Sequence, residues 1–496
     1  MTDVLLAHSY HLPHDAKQLR KMQPYPPLGT LYAATALRAA GIPVAVFDPM
    51  LAEPISGFAE MLRLHAPRIV VIYEDDFNFV TKMCLAHMRG LAQQLARMAA
   101  DAGAIVVAHG SDATDNAGIY FLNGVDYVLV GEAEQTLTTL CERILSGQEI
   151  SIIPGMISSK SDRAITHAEA MPKNPGWICL PRIARDLIDM EPYRKAWQSA
   201  HGYFSTNIVA SRGCPYGCKW CAKPISGNKF QVREPKDVVG EIWELKHVHH
   251  VQHIWFGDDI FALNHRWIEE FAHEMQARDC ILPFKIQSRA DLMTDSVVDA
   301  LRRAGCAEVW MGVESGSQEI LNAMGKGLRI SSVREARARL ANAGVRACYF
   351  LQFGYPGEGW QEILETLDFV RSTHPDDIGV SVSYPLPGTR FHELVQEQLG
   401  AKRNWSDSDD LCGLFTTAYT DEFYRSLRDL LHAEVDSWQA TASVDPEVVR
   451  SLWRRVCSLE PTSHNTNALR FDTPVATSIE NTFVPLQQLL ALPAET

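Results

Sequence analysis

The stretch Ser211-Arg212-Gly213-Cys214-Pro215-Tyr216-Gly217-Cys218-Lys219-Trp220-Cys221 places three cysteines within eight residues on a loop rich in glycine and proline. A short apolar run, 207–210, leads into it, and helical periodicity resumes at 235–247. Thiolates on such a loop can converge on one inorganic centre, and soft sulfur ligands select zinc, copper(I) or iron–sulfur clusters. A structural zinc site takes four ligands, usually as two separated pairs. Here there is one triplet with no second pair; His247, His249, His250 and His253 follow in helix and strand context that does not supply it. A four-iron cluster normally takes four cysteines, so three would leave one iron open to a substrate or cofactor.

Outward from this loop, the downstream sequence alternates strand and helix. Strands are expected at 253–256, 284–287, 308–312, 347–353 and 379–383, with helices such as 335–343 between them. Six units are too few for a closed eight-fold barrel, so residues 206–400 read as a partial (β/α)6 barrel. Upstream, residues 1–150 alternate in the same way, with strands at 4–7, 44–47, 69–72, 104–108 and 127–130 and helices at 28–40 and 77–102. The pattern predicts an α/β fold whose N-terminal domain is a doubly wound, Rossmann-like parallel sheet. Such sheets bind ligands at the carboxyl ends of their strands, here the loops 8–14, 48–50, 73–77, 109–114 and 131–134. Residues 151–205 read as a linker punctuated by prolines. Residues 401–496 form a mixed, mainly helical C-terminal region, with a helix at 421–438, Asp421 as its N-cap, and an extended tail after Ser463.

The chain has 496 residues, more than one core holds, so two or three domains are expected. Its formal net charge of −14 argues against gripping a nucleic-acid backbone. Eleven cysteines, an odd number, do not look like a disulfide framework; Cys84, Cys141, Cys280, Cys306, Cys348 and Cys457 stand singly. The first residues, MTDVLLAHSY, lack the pattern of a secretory signal. No apolar run of ~18 residues suggests a membrane span, and the expected compartment is the cytoplasm.

The spacing Cys-x3-Cys-x2-Cys, with Trp220 before the last cysteine, resembles the motif of the radical S-adenosylmethionine (SAM) superfamily. The resemblance implies a 4Fe–4S cluster on Cys214, Cys218 and Cys221, with SAM chelated by the open iron. One-electron cleavage of SAM then yields a 5′-deoxyadenosyl radical, with reduction by a donor such as a flavodoxin or ferredoxin. Later strand ends resemble the family in order. Asp258 and Asp259 stand where an acid would meet the methionine ammonium. Arg289 stands where a cation would meet its carboxylate. Glu314 and Ser315 stand near the ribose or methionine, and Gly354 and Pro356 near the adenine. Read as residues alone, the aspartates could equally cap the next helix, Arg289 could form a surface ion pair, and the glycines could be ordinary turns.

The N-terminal domain resembles the cobalamin-binding subgroup, through Gly29 before the first helix, Gly110 and Ser111 after the fourth strand, and Gly131 and Glu132 after the fifth. The pattern Asp-x-His-x-x-Gly, which supplies a cobalt ligand in many cobalamin domains, is absent. The order of parts, with the acidic segment 404–410, resembles the branch of the anaerobic magnesium-protoporphyrin monomethyl ester cyclase. The resemblance implies a cobalamin-dependent methyltransferase acting on an unactivated carbon of a small molecule. A radical cyclase or oxidase on the same scaffold is the first rival, and a non-catalytic metal-binding protein the second. A transfer-RNA methylthiotransferase would bring a second cysteine trio and a basic C-terminal module, and this chain shows neither.

Overall fold

The computed structural model describes residues 2–150, 153–159, 183–221, 229–438 and 444–469. Its first sheet contains β1 (Val4–Ala7), β2 (Val44–Phe47), β3 (Ile69–Tyr73), β4 (Ile105–His109), β5 (Tyr127–Leu129) and β6 (Met156–Ser158). The order is β2-β1-β3-β4-β5-β6, parallel except for β6. The central strands are unbroken apolar runs because helices cover both faces. Val4, Leu6, Ile69, Val71 and Val107 pack to one side, and Leu5, Ala7, Val70, Ile72 and Val106 to the other, at the two-residue period of a strand. Strand order reverses between β1 and β3, and the loops leaving those strands diverge at the crevice where such sheets take ligands.

The helix expected over 77–102 is two helices, Phe79–Lys82 and Ala86–Asp101, separated by Cys84 in the left-handed conformation at φ 55°. The break has a tertiary cause. The second helix begins by donating Ala86 N to Trp405 O (2.8 Å) and His87 N to Ser406 O (3.2 Å), so the C-terminal region satisfies N–H groups that a helix start leaves without partners. β6 and the helix Glu191–His201 lie inside the segment expected to be a linker; its residues 160–182 lie outside the described residues.

The second sheet contains β7 (Ser205–Ile208), β10 (His253–Phe256), β11 (Phe284–Ser288), β12 (Cys306–Glu314), β13 (Arg346–Phe353) and β14 (Asp377–Val382). The order β14-β13-β12-β11-β10-β7 is wholly parallel, an open arc with neighbours in chain order. β7 begins two residues before its expected start because it pairs Ser205 with His253 and Ile208 with Phe256. Ile254, Phe256, Ile286, Val309, Met311, Leu351 and Val380 are buried in the main core. Alternate positions, among them Trp255, Lys285, Gln287, Trp310 and Phe350, are only half-buried and face away from that core's fully buried side. A two-stranded ribbon, β8 (Ser211–Arg212) with β9 (Gln231–Val232), brackets the cysteine loop.

In the C-terminal region, the helix Asp421–Ser437 has Thr420 at its N-cap. Asp421, expected there, is its first residue, and its Oδ1 accepts from Gly413 N (2.7 Å). Segment 404–410 straps the barrel to the first sheet's layer. Asn404 bridges Arg89 and Tyr384, and Asp15 accepts from Ser408 Oγ (2.7 Å). Of the tail beyond Ser463, residues 470–496 lie outside the described residues.

Candidate active site

The cysteine loop leaves the barrel at the carboxyl end of β7. Asp258, following β10, anchors its root: buried, it accepts from Ala210 N (3.1 Å) and Ser211 Oγ (2.5 Å). Burial pushes the Asp258 carboxyl up to about 7, against these hydrogen bonds. The sequence placed Asp258 beside a ligand, whereas the structure shows its oxygens engaged with the loop root. Asp259 turns the other way and pairs with Lys82 Nζ (2.7 Å) from the N-terminal domain.

The loop is backed by the turn that follows the helix Gln318–Ala323. Lys219 donates its N–H to Met324 O (2.9 Å) and its Nζ to Ala323 O (2.9 Å), while Lys219 O accepts from Phe391 N (3.0 Å). Trp220 packs against an apolar cluster that includes Met324, Tyr355 and Phe391. Arg289 is buried, forks onto Asp291 (3.0 and 2.9 Å), donates to Lys326 O (2.8 Å), and lies 3.9 Å over the Tyr216 ring. Glu314, also buried, accepts from Lys326 Nζ (2.8 Å). Ser315 Oγ meets Thr366 Oγ1 (3.1 Å) and accepts from Ser317 N, holding the end of β12 to the helix Trp360–Thr373. Gly354, at φ 74°, donates to the buried Glu358, whose carboxyl burial pushes up to about 8. Pro356 is buried beside it.

Cys214, Cys218 and Cys221 are partly exposed and in no disulfide. Among the described residues, no three His, Cys, Asp or Glu side chains gather closely enough to bind one ion. In a cluster each thiolate would meet a different iron, so three cysteines spread along one loop fit it. Lys326 and Arg289 lie within electrostatic reach of Cys218, and Lys82 within reach of Cys221. A cluster with thiolate ligands is anionic, and these buried cations suit it.

The first sheet presents its carboxyl-end loops to this loop. Gly29 N donates to Asp75 Oδ1 (2.9 Å), and a Cβ on Gly29 would stand 2.9 Å from Asp76 N, so the glycine lets helix and loop close together. Gly110, at φ 121°, is packed by Glu74, and Ser111 opens a short helix. Gly131 O contacts His109 Nε2 (2.9 Å). Burial pushes His109 down to about 4, so it is neutral, and this nitrogen donates. Glu132 lies within electrostatic reach of Arg212, and Arg212 is ion-paired with the buried Glu134 while its guanidinium rests over Phe77 (5.0 Å) and Tyr32 (5.4 Å). Arg212 stands two residues before Cys214, so the cysteine loop and the post-β5 loop are joined directly.

Residues 208–370 match the family model described as the radical SAM superfamily. The cysteine loop and the barrel strands that follow it thus carry the radical SAM pattern. The matched segment begins at the end of β7 and contains the cysteine loop and β8 through β13. Among curated relatives, an uncharacterized methyltransferase of Pyrococcus horikoshii is 26% identical over 57% of the chain and 60% of the relative. An anaerobic magnesium-protoporphyrin IX monomethyl ester cyclase of Rubrivivax gelatinosus is 26% identical over 56% of the chain and 50% of the relative. The chain spans about half the length of the curated relatives it matches. Among solved structures, the radical SAM methyltransferase TsrM of Kitasatospora setae, with cobalamin and a 4Fe–4S cluster bound, superposes with TM-score 0.66 at 19% identity, over 80% of this chain and 78% of that one. The cobalamin-dependent radical SAM enzyme OxsB superposes with TM-score 0.69 at 16% identity, over 93% and 71%. At these identities the likeness establishes the shared α/β architecture.

Three site-facing residues escaped the sequence reading. Lys326 carried a local signal, since it is flanked by two glycines after the fourth barrel strand. Lys82 and Arg212 carried none, because their partners Asp259 and Glu134 are 177 and 78 residues away.

Proposed function

We propose that the chain is a cobalamin-dependent radical SAM enzyme that methylates an unactivated carbon of a small molecule. The observation that carries the reading is the direct joining of the barrel mouth to the carboxyl-end loops of the N-terminal sheet, the cysteine loop through Arg212–Glu134 and the loop after β10 through Lys82–Asp259. In this reading Cys214, Cys218 and Cys221 hold the 4Fe–4S cluster. Trp220, Asp259, Arg289, Glu314, Ser315, Gly354 and Pro356 surround SAM, with Asp258 as the anchor behind them. Gly29, Gly110, Ser111, Gly131 and Glu132 form the edge that meets cobalamin. Two buried polar atoms at that edge, Tyr73 Oη and His109 Nδ1, make no hydrogen bond within the described residues and fit an amide-rimmed ligand.

Bound there, the cluster, SAM and cobalamin would supply one-electron cleavage and methyl-transfer chemistry; the protein positions them and excludes water. Arg289 stiffens the loop through Tyr216, and Lys219 ties it to the barrel. In this reading the half-buried side of the second sheet, with Trp255, Trp310 and Phe350, would offer a small molecule apolar surface, and Gln287 a polar contact. Proteins named as methyltransferases in the matched set carry the methyl-transfer reading. The cyclases at equal identity keep ring formation as the second reading.

The test is anaerobic reconstitution with iron, sulfide and cobalamin, then addition of SAM and a flavodoxin- or ferredoxin-class reductant. The expected products are 5′-deoxyadenosine together with S-adenosylhomocysteine, and a substrate gaining one CH2. Deoxyadenosine without homocysteine favours cyclisation or oxidation. Failure to retain cobalamin through gel filtration overturns its part in the mechanism. Cys218→Ala is expected to lose most of the iron; a variant with full cluster absorbance refutes the ligand assignment.

A further inference from the structure

Behind the cysteine loop lies an ion pair that the fold accommodates with several backbone concessions. Lys326 sits in the turn Met324-Gly325-Lys326-Gly327, whose two glycines adopt φ 63° and 61°. Glycine occupies that region without steric penalty, and the reversal turns Lys326 back toward the barrel. Its Nζ donates to Glu314 Oε1 (2.8 Å), its carbonyl accepts from Arg289 (2.8 Å), and its ammonium lies 5.7 Å from the centre of the Trp220 ring. Glu314 itself has φ 68°, beside a bulge in β12. Gly312 leaves the pair its space, since a Cβ there would stand 2.6 Å from Glu314 Oε1 and 2.7 Å from Lys326 Nζ.

Both members of the pair are less than one-tenth exposed. A buried ion pair contributes little net stability against the cost of desolvating it, and a non-glycine residue at positive φ is strained. Such strain concentrates at functional sites. The pair is oriented, too. Lys326 is the member whose ammonium faces the Trp220 ring, within the motif, and lies in the field of Cys218. Glu314 holds it on the barrel side.

We propose that the Lys326–Glu314 pair sets the reduction potential of the cluster, Lys326 favouring the electron-rich state and Glu314 fixing and partly offsetting that charge. This rests on the assignment of the cluster to Cys214, Cys218 and Cys221. The electron comes from the flavodoxin- or ferredoxin-class donor. Adding one negative charge beside a fixed ammonium in a low-dielectric site is favourable, and beside a bare carboxylate unfavourable. The two residues therefore act with opposite sign, which a merely structural role does not produce.

The experiment is an EPR-monitored redox titration of the reconstituted full-length chain, without SAM, alongside iron content. Lys326→Gln leaves the carboxylate alone and is expected to make reduction about tenfold harder, a fall of about 59 mV for a one-electron couple. Glu314→Gln leaves the ammonium alone and is expected to raise the potential by a similar amount. The double variant, again neutral, returns toward wild type, and Lys326→Arg, which keeps the charge, stays there. Shifts in the same direction, or none beyond twofold in the equilibrium, overturn the proposal. If Lys326→Gln assembles no cluster, Glu314→Gln and Lys326→Arg decide it by the same criteria. Retention of a full cluster by Cys218→Ala refutes the ligand assignment instead, so the two failures are distinguishable.

Discussion

Replacing Asp258 by asparagine tests how the root of the cysteine loop is held. The carboxyl is 1% exposed and raised from 3.8 to about 7 by burial, with Ser211 and the Ala210 backbone pulling the other way. At about 1.4 kcal/mol per pKa unit, three units correspond to about 4 kcal/mol. The direction follows from proton binding. Between the ordinary aspartate value and about pH 7 the folded chain keeps a proton that the unfolded chain has lost, so stability falls as pH rises through that window and is level above it. Asparagine does not ionise. It keeps both contacts, its Oδ1 accepting from Ala210 N while the Ser211 hydroxyl rotates to accept from its amide. Scanning calorimetry of the apoprotein between pH 5 and pH 8 is the assay. Of the 4 kcal/mol, about 3 kcal/mol falls in that range. At about 2–4 °C per kcal/mol for a unit of this size, the wild-type barrel transition should fall by roughly 6–12 °C relative to Asp258→Asn. A difference between the two proteins that is independent of pH would refute the reasoning, because it would mean Asp258 ionises as an ordinary aspartate.

Two further outcomes follow from packing and charge. Gly316→Ala would bring a Cβ within 2.6 Å of Thr366 Cα and 2.7 Å of Glu365 O, on a packed helix backbone that cannot step aside cheaply. It is expected to cost about 1–3 kcal/mol, read as a lower barrel melting temperature, and an unchanged value would refute the packing. Arg212→Met keeps a side chain of similar length but removes the guanidinium from over Phe77 and leaves the Glu134 carboxylate buried without its partner, at about 3–5 kcal/mol. Amide exchange is expected to quicken at both 131–134 and 211–213, and Arg212→Met/Glu134→Gln to recover part of the loss; quickening on one side alone would show that the pair does not couple the loops.

Much was legible in the chain itself. Strand and helix alternation is a local property, so β1, β2 and β10 match their expected limits and β14 and β13 are displaced by only one or two residues. The cysteine spacing is likewise local, since three thiols on one short loop need no partner elsewhere. Two expectations failed where contacts outside the local helical pattern decided the outcome. The 77–102 helix breaks because Trp405 and Ser406 cap its second half, more than 300 residues away in sequence. Asp421 yields the N-cap position to Thr420 because Gly413 N claims its carboxylate. Asp258 and Arg289, both legible as polar residues at strand ends, meet Ser211 and Asp291 in the fold.

By itself, the sequence determined the α/β class, the two parallel sheets and the position of the cysteine loop, because period and spacing act within a few residues of one another. Only the tertiary structure decided which charges face that loop. Lys82, Arg212 and Lys326 each depend on a carboxylate from another element, and burial sets the strength of each pairing, a property no stretch of sequence carries alone.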